Sequence, residues 1–171
     1  MNIFFTADTH FYHKKVIEYC KRPFKDIEEM NEVLIENWNG VVKTKDTVYH
    51  LGDFSFGNRE LIRKLRYRLR GKIILILGNH DIRGRIHKLE DLFTEITLYK
   101  ELNINKKRFI LFHYPILEWN HYFRGAFHLY GHTHKDMKLK NALNVGVDLH
   151  DYRPISLEEI LKILGGKIQN G

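Results

Sequence analysis

The sequence predicts an α/β fold, on three observations. Residues 73–77 form an unbroken apolar run rich in β-branched side chains, too short for a lone helix. Such a run reads as a strand covered on both faces, as in parallel or mixed sheets. It stops at Gly78-Asn79-His80-Asp81, and open α/β sheets place ligands outside the carboxyl ends of their strands, so these side chains fall where a site is expected. The same pattern, an apolar run followed at once by carboxylate or imidazole side chains, recurs along the chain with helical segments between.

In chain order, residues 2–7 make a short apolar strand running into Asp8-Thr9-His10. Two residues apart on extended backbone, Asp8 and His10 point the same way and can face one cation; a turn holding a satisfied histidine would look alike. His13 either faces a substrate or begins the next helix. Residues 14–20 and 27–38 have helical spacing, with Asp26 as N-cap and Gly40 as the stop. Residues 47–51 form a strand ending in Gly52-Asp53, and 58–70 a basic helix with Leu61, Ile62, Leu65 and Leu69 facing the core. Its arginines and lysines make either a solvated face or a phosphate-contacting one.

After the central strand, residues 86–93 read as an amphipathic helix, and 96–104 with 108–112 as a hairpin joined by Asn105-Lys106-Lys107. The second hairpin strand leads to His113-Tyr114-Pro115, and residues 128–130 lead to Gly131-His132-Thr133-His134. Residues 141–147 are a late strand. Ser156-Leu157-Glu158-Glu159 is a capping box that opens a last helix, which Gly165 and Gly166 should end.

The 171 residues predict a single domain spanning 1–171, with 43% hydrophobic residues to fill its core. Cys20 is the only cysteine, which excludes an internal disulfide and a cysteine-based zinc site. No apolar run has the length of a membrane span and no signal peptide is evident, so a cytoplasmic location and no membrane partner are expected. A net charge of +7 attracts anions such as nucleotides, nucleic acid or phosphorylated metabolites.

Five strand ends thus present Asp8 with His10, Asp53, Asn79 with His80, His113, and His132 with His134. Gathered together, these groups would be costly to bury, at roughly 1–3 kcal/mol for each one left unpaired. A metal centre resolves that cost. In this order and with these glycines, the motifs resemble the signature of calcineurin-like metallophosphoesterases, from the first strand to about Asp148. The resemblance implies a four-layer α/β/β/α sandwich of two mixed sheets with a binuclear metal site at one edge. By motif position it implies Asp8, His10, Asp53 and His134 on one metal, and Asp53, Asn79, His113 and His132 on the other, with Asp53 bridging. Two cations about 3.5–4 Å apart repel and need a shared anion between them. Nitrogen and oxygen donors without thiolate suit two divalent transition-metal ions, Mn²⁺ first among the expectations and Fe²⁺, Zn²⁺ or Ni²⁺ suited as well.

The resemblance further implies a phosphate-ester substrate attacked in line by metal-activated hydroxide, with His80 stabilising the transition state or protonating the departing oxygen. Asp81 would orient the His80 ring or cap a turn. Phosphoprotein phosphatases of the superfamily continue Gly-Asp with Asp-Arg-Gly, whereas this chain has Phe54-Ser55-Phe56-Gly57-Asn58-Arg59. A phosphodiesterase acting on small or nucleotide-like diesters is therefore expected over a phosphomonoesterase. Arg59, Arg83 and Arg124 are candidate substrate clamps with His13, and Tyr122, Phe123 and Tyr152 candidate aromatics of a substrate cleft or an interface. A non-catalytic protein- or nucleic-acid-binding module remains the reading from a different class. The sequence is silent on oligomeric state.

Overall fold

The computed structural model describes residues 1–84 and 86–169. Strands β1 (Ile3–Thr6), β2 (Thr47–His50) and β3 (Lys72–Ile76) run parallel, with β4 (Glu95–Thr97) parallel to β3 and β9 (Ile155–Ser156) antiparallel to β1. The order in this five-stranded sheet is β4-β3-β2-β1-β9. A four-stranded sheet follows as β5 (Tyr99–Ile104), β6 (Lys107–Phe112), β7 (Phe127–Tyr130) and β8 (Ala142–Asn144). Within it β5–β6 is antiparallel and β6–β7–β8 is parallel.

Alternate residues of β3 explain its unbroken hydrophobicity. Ile73 and Leu75 face a cluster with Met30, Leu34, Trp38, Ile62 and Leu65, supplied by helices α2 (Ile27–Val41) and α3 (Arg59–Arg68). Ile74 and Ile76 face the other way, into a core with Phe109, Leu111, Leu129 and Leu143 between the two sheets. Both faces of the strand are buried, so neither parity carries polar residues. The short α1 (Lys14–Tyr19) buries Val16 in the first cluster, and α5 (Leu157–Gln169) adds Ile160 and Leu164 to the inter-sheet core. On its far face the second sheet packs Ile110, Tyr130 and Ala142 against Trp119 and Ile116. The result is an α/β sandwich of two mixed sheets. Among the described residues no helix is long and apolar enough to cross a membrane.

Several boundaries differ from the sequence reading. Gly40 lies inside α2, which ends at Val41, and α5 passes through Gly165 and Gly166 to Gln169; a helix tolerates glycine at about 1 kcal/mol relative to alanine. Residues 86–93 form two 3-10 turns, Ile86–Lys88 and Glu90–Leu92. Ile86, Leu89 and Leu92, all buried, recur every third residue, the period of a 3-10 helix. The expected hairpin strand over 96–104 divides at Leu98, where the chain passes from the first sheet to the second. Leu61 is 36% exposed and does not join the core-facing stripe of α3.

The capping box of α5 is complete. Ser156 N and Oγ each donate to Glu159 Oε2 at 2.8 Å, and Glu159 N donates to Ser156 Oγ at 3.2 Å. Arg153 donates to Glu159 Oε1 at 2.7 Å and, ahead of the serine bonds, holds the Glu159 carboxyl at about 2. Loss of the cap in Ser156→Ala should cost about 1 kcal/mol in urea unfolding. A depressed carboxyl contributes stability above its unfolded value and loses it as pH falls through the folded one. The melting-temperature gap between wild type and Glu159→Gln should therefore be open at neutral pH and close as pH is lowered from 4.5 towards 2; a gap unchanged by acid would contradict this.

Candidate metal centre

Two loops leaving β1 and β2 run side by side and set the floor of the site. Asp8 N donates to Gly52 O (2.9 Å), His10 N to Asp53 O (3.0 Å) and Phe11 N to Phe54 O (3.1 Å). On the far side Ala7 bridges Gly146, which draws in the loop after β8. The backbone is bent sharply at the functional positions themselves. Asp8, His10, Asp53, His132 and His134 have φ of 56°, 50°, 56°, 69° and 51°, in the left-handed region that costs non-glycine residues of order 1–3 kcal/mol each. Close approach fixes two glycines. A Cβ on Gly78 would overlap Asp53 Oδ1, and one on Gly131 would lie 2.6 Å from Asp8 Oδ2.

Asp53 stands at the centre. Its Oδ2 is 3.7 Å from His10 Nε2, 3.6 Å from His113 Nε2 and 3.9 Å from His80 Nε2, while its Oδ1 accepts from His80 N at 3.0 Å. Around it the donor atoms of Asp8, His10 and His134 gather within 4.8 Å of one another, as do those of Asp53, His113 and His132. Asn79 Oδ1 lies 3.3 Å from His113 Nε2. All seven residues expected as ligands are in this one cluster.

The cluster is incompletely satisfied by its own members. Asp8 Oδ1 and His10 Nδ1 are buried with no hydrogen-bond partner. His10 Nε2 and His134 Nε2 face each other at 3.2 Å, a pair that needs a proton or a cation between its lone pairs. Burial pushes the Asp8 carboxyl up to about 8 against the pull of His134, and burial with the neighbouring His134 holds His10 well below the usual imidazole range. Burial also works to lower His134, but the Asp148 hydrogen bond and the Asp8 charge raise it to about 10. Orphaned donors, opposed imidazoles and a central carboxylate fit divalent cations of the oxygen- and nitrogen-binding kind.

Behind the cluster, imidazole orientation is fixed by groups that sequence reasoning did not single out. His113 Nδ1 donates to Leu51 O at 2.7 Å, which leaves Nε2 as the lone pair towards Asp53 and Asn79. His134 Nδ1 is 2.7 Å from Asp148 Oδ2. Asp148 is gripped by both arms of Arg22, Nε to Oδ1 and NH2 to Oδ2, each at 2.8 Å. The same guanidinium donates to Asp8 O at 2.7 Å and Thr9 O at 3.0 Å and is 4% exposed. One buried cation thus ties the Asp8 loop to the His134 ring. Arg22 and Asp148 sit outside any motif, and their only sequence signal is a lone aspartate shortly after a strand.

The remaining expected residues divide. His80 is near Asp53, its side chain one-third exposed. Of the two roles expected of it, Asp81 takes the turn cap and makes no bond to the His80 ring: Oδ2 accepts from Asp53 N (2.7 Å) and Gly78 N (2.9 Å), and Oδ1 from Phe54 N (2.9 Å). Both oxygens are committed to backbone amides, so Asp81 locks the Gly78 turn, which opens helix α4 (Asn79–Arg83), against the Asp53 loop. His13 lies 5.5 Å from the His10 ring and 6.3 Å from that of His80. Arg59 and Arg83, at the first residue of α3 and the last of α4, are exposed with no hydrogen bond or ion pair to the cluster among the described residues. Arg124 lines a groove with Lys106, Lys107 and Arg108, beside the start of β6 and of β7, whereas His113 and His132 follow the ends of those strands. That places Arg124 at the opposite end of the sheet. Tyr122 packs against Trp119, Phe123 against Tyr122, and Tyr152 against Phe24 and Arg22, so none of the three borders the cluster, although Tyr122 and Phe123 line a separate groove with Trp119. The aromatics that do border the cluster are Phe56 and Tyr114.

Residues 1–146 match the calcineurin-like phosphoesterase superfamily domain. The chain is similar to an uncharacterized protein, MJ1445, of Methanocaldococcus jannaschii, with 36% identity covering 95% of this chain and 90% of that one. It is also similar to the Gene 66 protein of Mycobacterium phage L5, with 28% identity covering 95% and 94%. Among solved structures, a protein of unknown function from Aquifex aeolicus, AQ665, superposes with a TM-score of 0.76 at 30% identity, over 95% of this chain and 98% of that one.

If Asp148 orients His134 for a cation, Asp148→Asn should weaken metal binding about 10- to 100-fold at the site of Asp8, His10 and His134 and spare the other. Arg22→Lys, which keeps the charge and loses the fork, should give a smaller loss. Calorimetric titration of metal-stripped protein, with circular dichroism to confirm folding, measures both; equal weakening of the two sites would contradict the assignment.

Proposed function

Given that the chain belongs to the calcineurin-like phosphoesterase superfamily, we propose that it hydrolyses phosphate esters, diesters with small or nucleotide-like groups foremost, using two divalent transition-metal ions. The observation that carries this reading is the Asp53 carboxylate, placed within 3.9 Å of imidazoles from both donor groups and so positioned to be shared. Asp8, His10 and His134 would hold one ion with Asp53, and Asn79, His113 and His132 the other. When bound, such ions supply Lewis acidity that activates water and offsets charge on the phosphate.

The chain's own residues do the rest. His80 presents a partly exposed ring next to Asp53, with its backbone N–H anchored on Asp53 Oδ1, and would donate a proton to the departing oxygen. Asp81 keeps that ring in place indirectly, by clamping the amides of Gly78, Asp53 and Phe54. The Arg22–Asp148 pair ties the Asp8 loop to His134. A phosphomonoester carries close to two negative charges and gains from cationic clamps. Among the described residues the three candidate arginines make no hydrogen bond or ion pair to the cluster, and a diester, with one charge, needs no such clamp. Its demand is instead for help in expelling an alkoxide, which His80 meets.

The nucleic-acid-binding alternative rested on the basic helix α3. There Arg63 pairs with Asp91, Lys64 with Glu60 and Arg68 with Glu32, while Arg66 donates to the carbonyls of Leu92, Leu69 and Gly71. Each of these cations is offset by a surface carboxylate or, for Arg66, committed to backbone carbonyls, which favours the catalytic reading.

Two measurements test the proposal. kcat/KM for bis(p-nitrophenyl) phosphate should exceed that for p-nitrophenyl phosphate under the same metal and pH, and a clear preference for the monoester would overturn the diester assignment. His80→Ala should keep its metal content and lose about 10²–10⁴ in turnover. Loss of metal in that variant would make His80 a ligand instead.

A further inference from the structure

In the segment where the Asp-Arg-Gly continuation of the phosphoprotein phosphatases is absent, the chain carries Phe56. Its backbone is fixed by a Phe56 N–H to Phe11 O bond of 2.8 Å, which continues the ladder between the Asp8 and Asp53 loops. The ring lies flat on His13, with centroids 3.8 Å apart and planes 5° from parallel. It stands 4.7 Å from the His80 ring and 5.5 Å from that of His10. Phe56 is nevertheless 39% exposed. His13 covers one face, and the neighbouring rings do not enclose the rest of the side chain. A second open ring borders the other donor group: Tyr114, 36% exposed, lies 4.6 Å from His132 and 5.1 Å from His113.

A large aromatic ring left open beside buried carboxylates and imidazoles forgoes the burial that normally stabilises such side chains. Two of them, one beside each donor group, flank the place where phosphate would sit. A phosphodiester has two arms, and aromatic walls suit an arm with a planar π-face. We propose that Phe56, backed by His13, is a stacking platform for a planar, nucleobase-like group on one arm of a phosphodiester substrate, with Tyr114 bordering the other arm. This rests on the phosphodiesterase reading and specifies its substrate class. His13 is then a positioning residue for Phe56, because it stiffens the ring it stacks on. Recognition is sequence-tolerant, since every nucleobase presents a π-face.

The test compares thymidine p-nitrophenyl phosphate with methyl p-nitrophenyl phosphate, which share a leaving group and differ in the base-bearing arm. Wild type should favour the thymidine ester in kcat/KM by about tenfold or more, as base stacking on aromatic side chains implies. Phe56→Leu should abolish most of that preference, chiefly through KM, and Phe56→Trp should retain it. A wild-type preference that survives in Phe56→Leu, or no preference in wild type, overturns the platform while leaving the phosphodiesterase reading intact. Should neither ester be hydrolysed with any cation, that reading fails instead. Calorimetric binding of thymidine monophosphate to wild type and Phe56→Leu then decides the platform separately, with equal affinity counting against it and a loss of about tenfold in the variant supporting it.

Discussion

The arrangement around Asp53 is a problem of surplus lone pairs. Two buried carboxylates and imidazoles from four separate loops converge in a volume where few protons are available to share, and Asp8 Oδ1 and His10 Nδ1 find no partner. Leaving such groups unpaired works against folding. The chain nevertheless bends five of these residues into the left-handed region to bring them together, and keeps glycines at 78 and 131 where no side chain fits. Strain of this kind persists only where the surroundings over-determine it. Here they do, because β1, β2 and β3 are buried on both sides and their C-terminal ends cannot shift independently.

Rigidity comes from a second layer of contacts. Arg22 reaches from the segment after α1 to the carbonyls of Asp8 and Thr9 and to both oxygens of Asp148, and Asp148 in turn fixes the proton position on His134. Asp81 does the equivalent for the β2 and β3 loops through three amides. One guanidinium and one carboxylate therefore join loops from both sheets into a frame. Donors held in place before a ligand arrives lose less freedom on binding it, which is the physical basis of preorganisation. The helices α1 to α3 matter to the site mainly because they bury the outer face of the strands that carry it.

The sequence was most legible where a local rule coincides with the global one. The run at 73–77 and the strand-then-ligand pattern at Asp8, Asp53, Asn79 and His113 marked the β ends, and Ser156 with Glu159 marked the start of α5. Residues 86–93 resemble an α-helix in sequence because a repeat of three and one of 3.6 look alike over eight positions. The strand break at Leu98 was invisible, since extended backbone continues through it while the sheet changes. Arg22 and Asp148 had no local signature, being 126 positions apart and meeting only through tertiary structure. Of the two roles expected of Asp81, the turn cap is the one its carboxylate fills, because in a helical turn successive side chains point apart and this one folds back to the amides of Gly78, Asp53 and Phe54. Arg124 lies away from the histidine motifs because proximity along the chain does not survive the length of β7.

The central claim is that Asp53 joins two cation sites into one centre. Counting Mn²⁺ bound to metal-stripped protein, by titration followed to saturation, addresses it most directly. The account predicts two ions per chain in the wild type and weakened binding of both in Asp53→Ala, because one carboxylate serves both donor groups. Saturation of the folded wild type at a single ion, or an Asp53→Ala protein that loses one ion and binds the other undiminished, would contradict it.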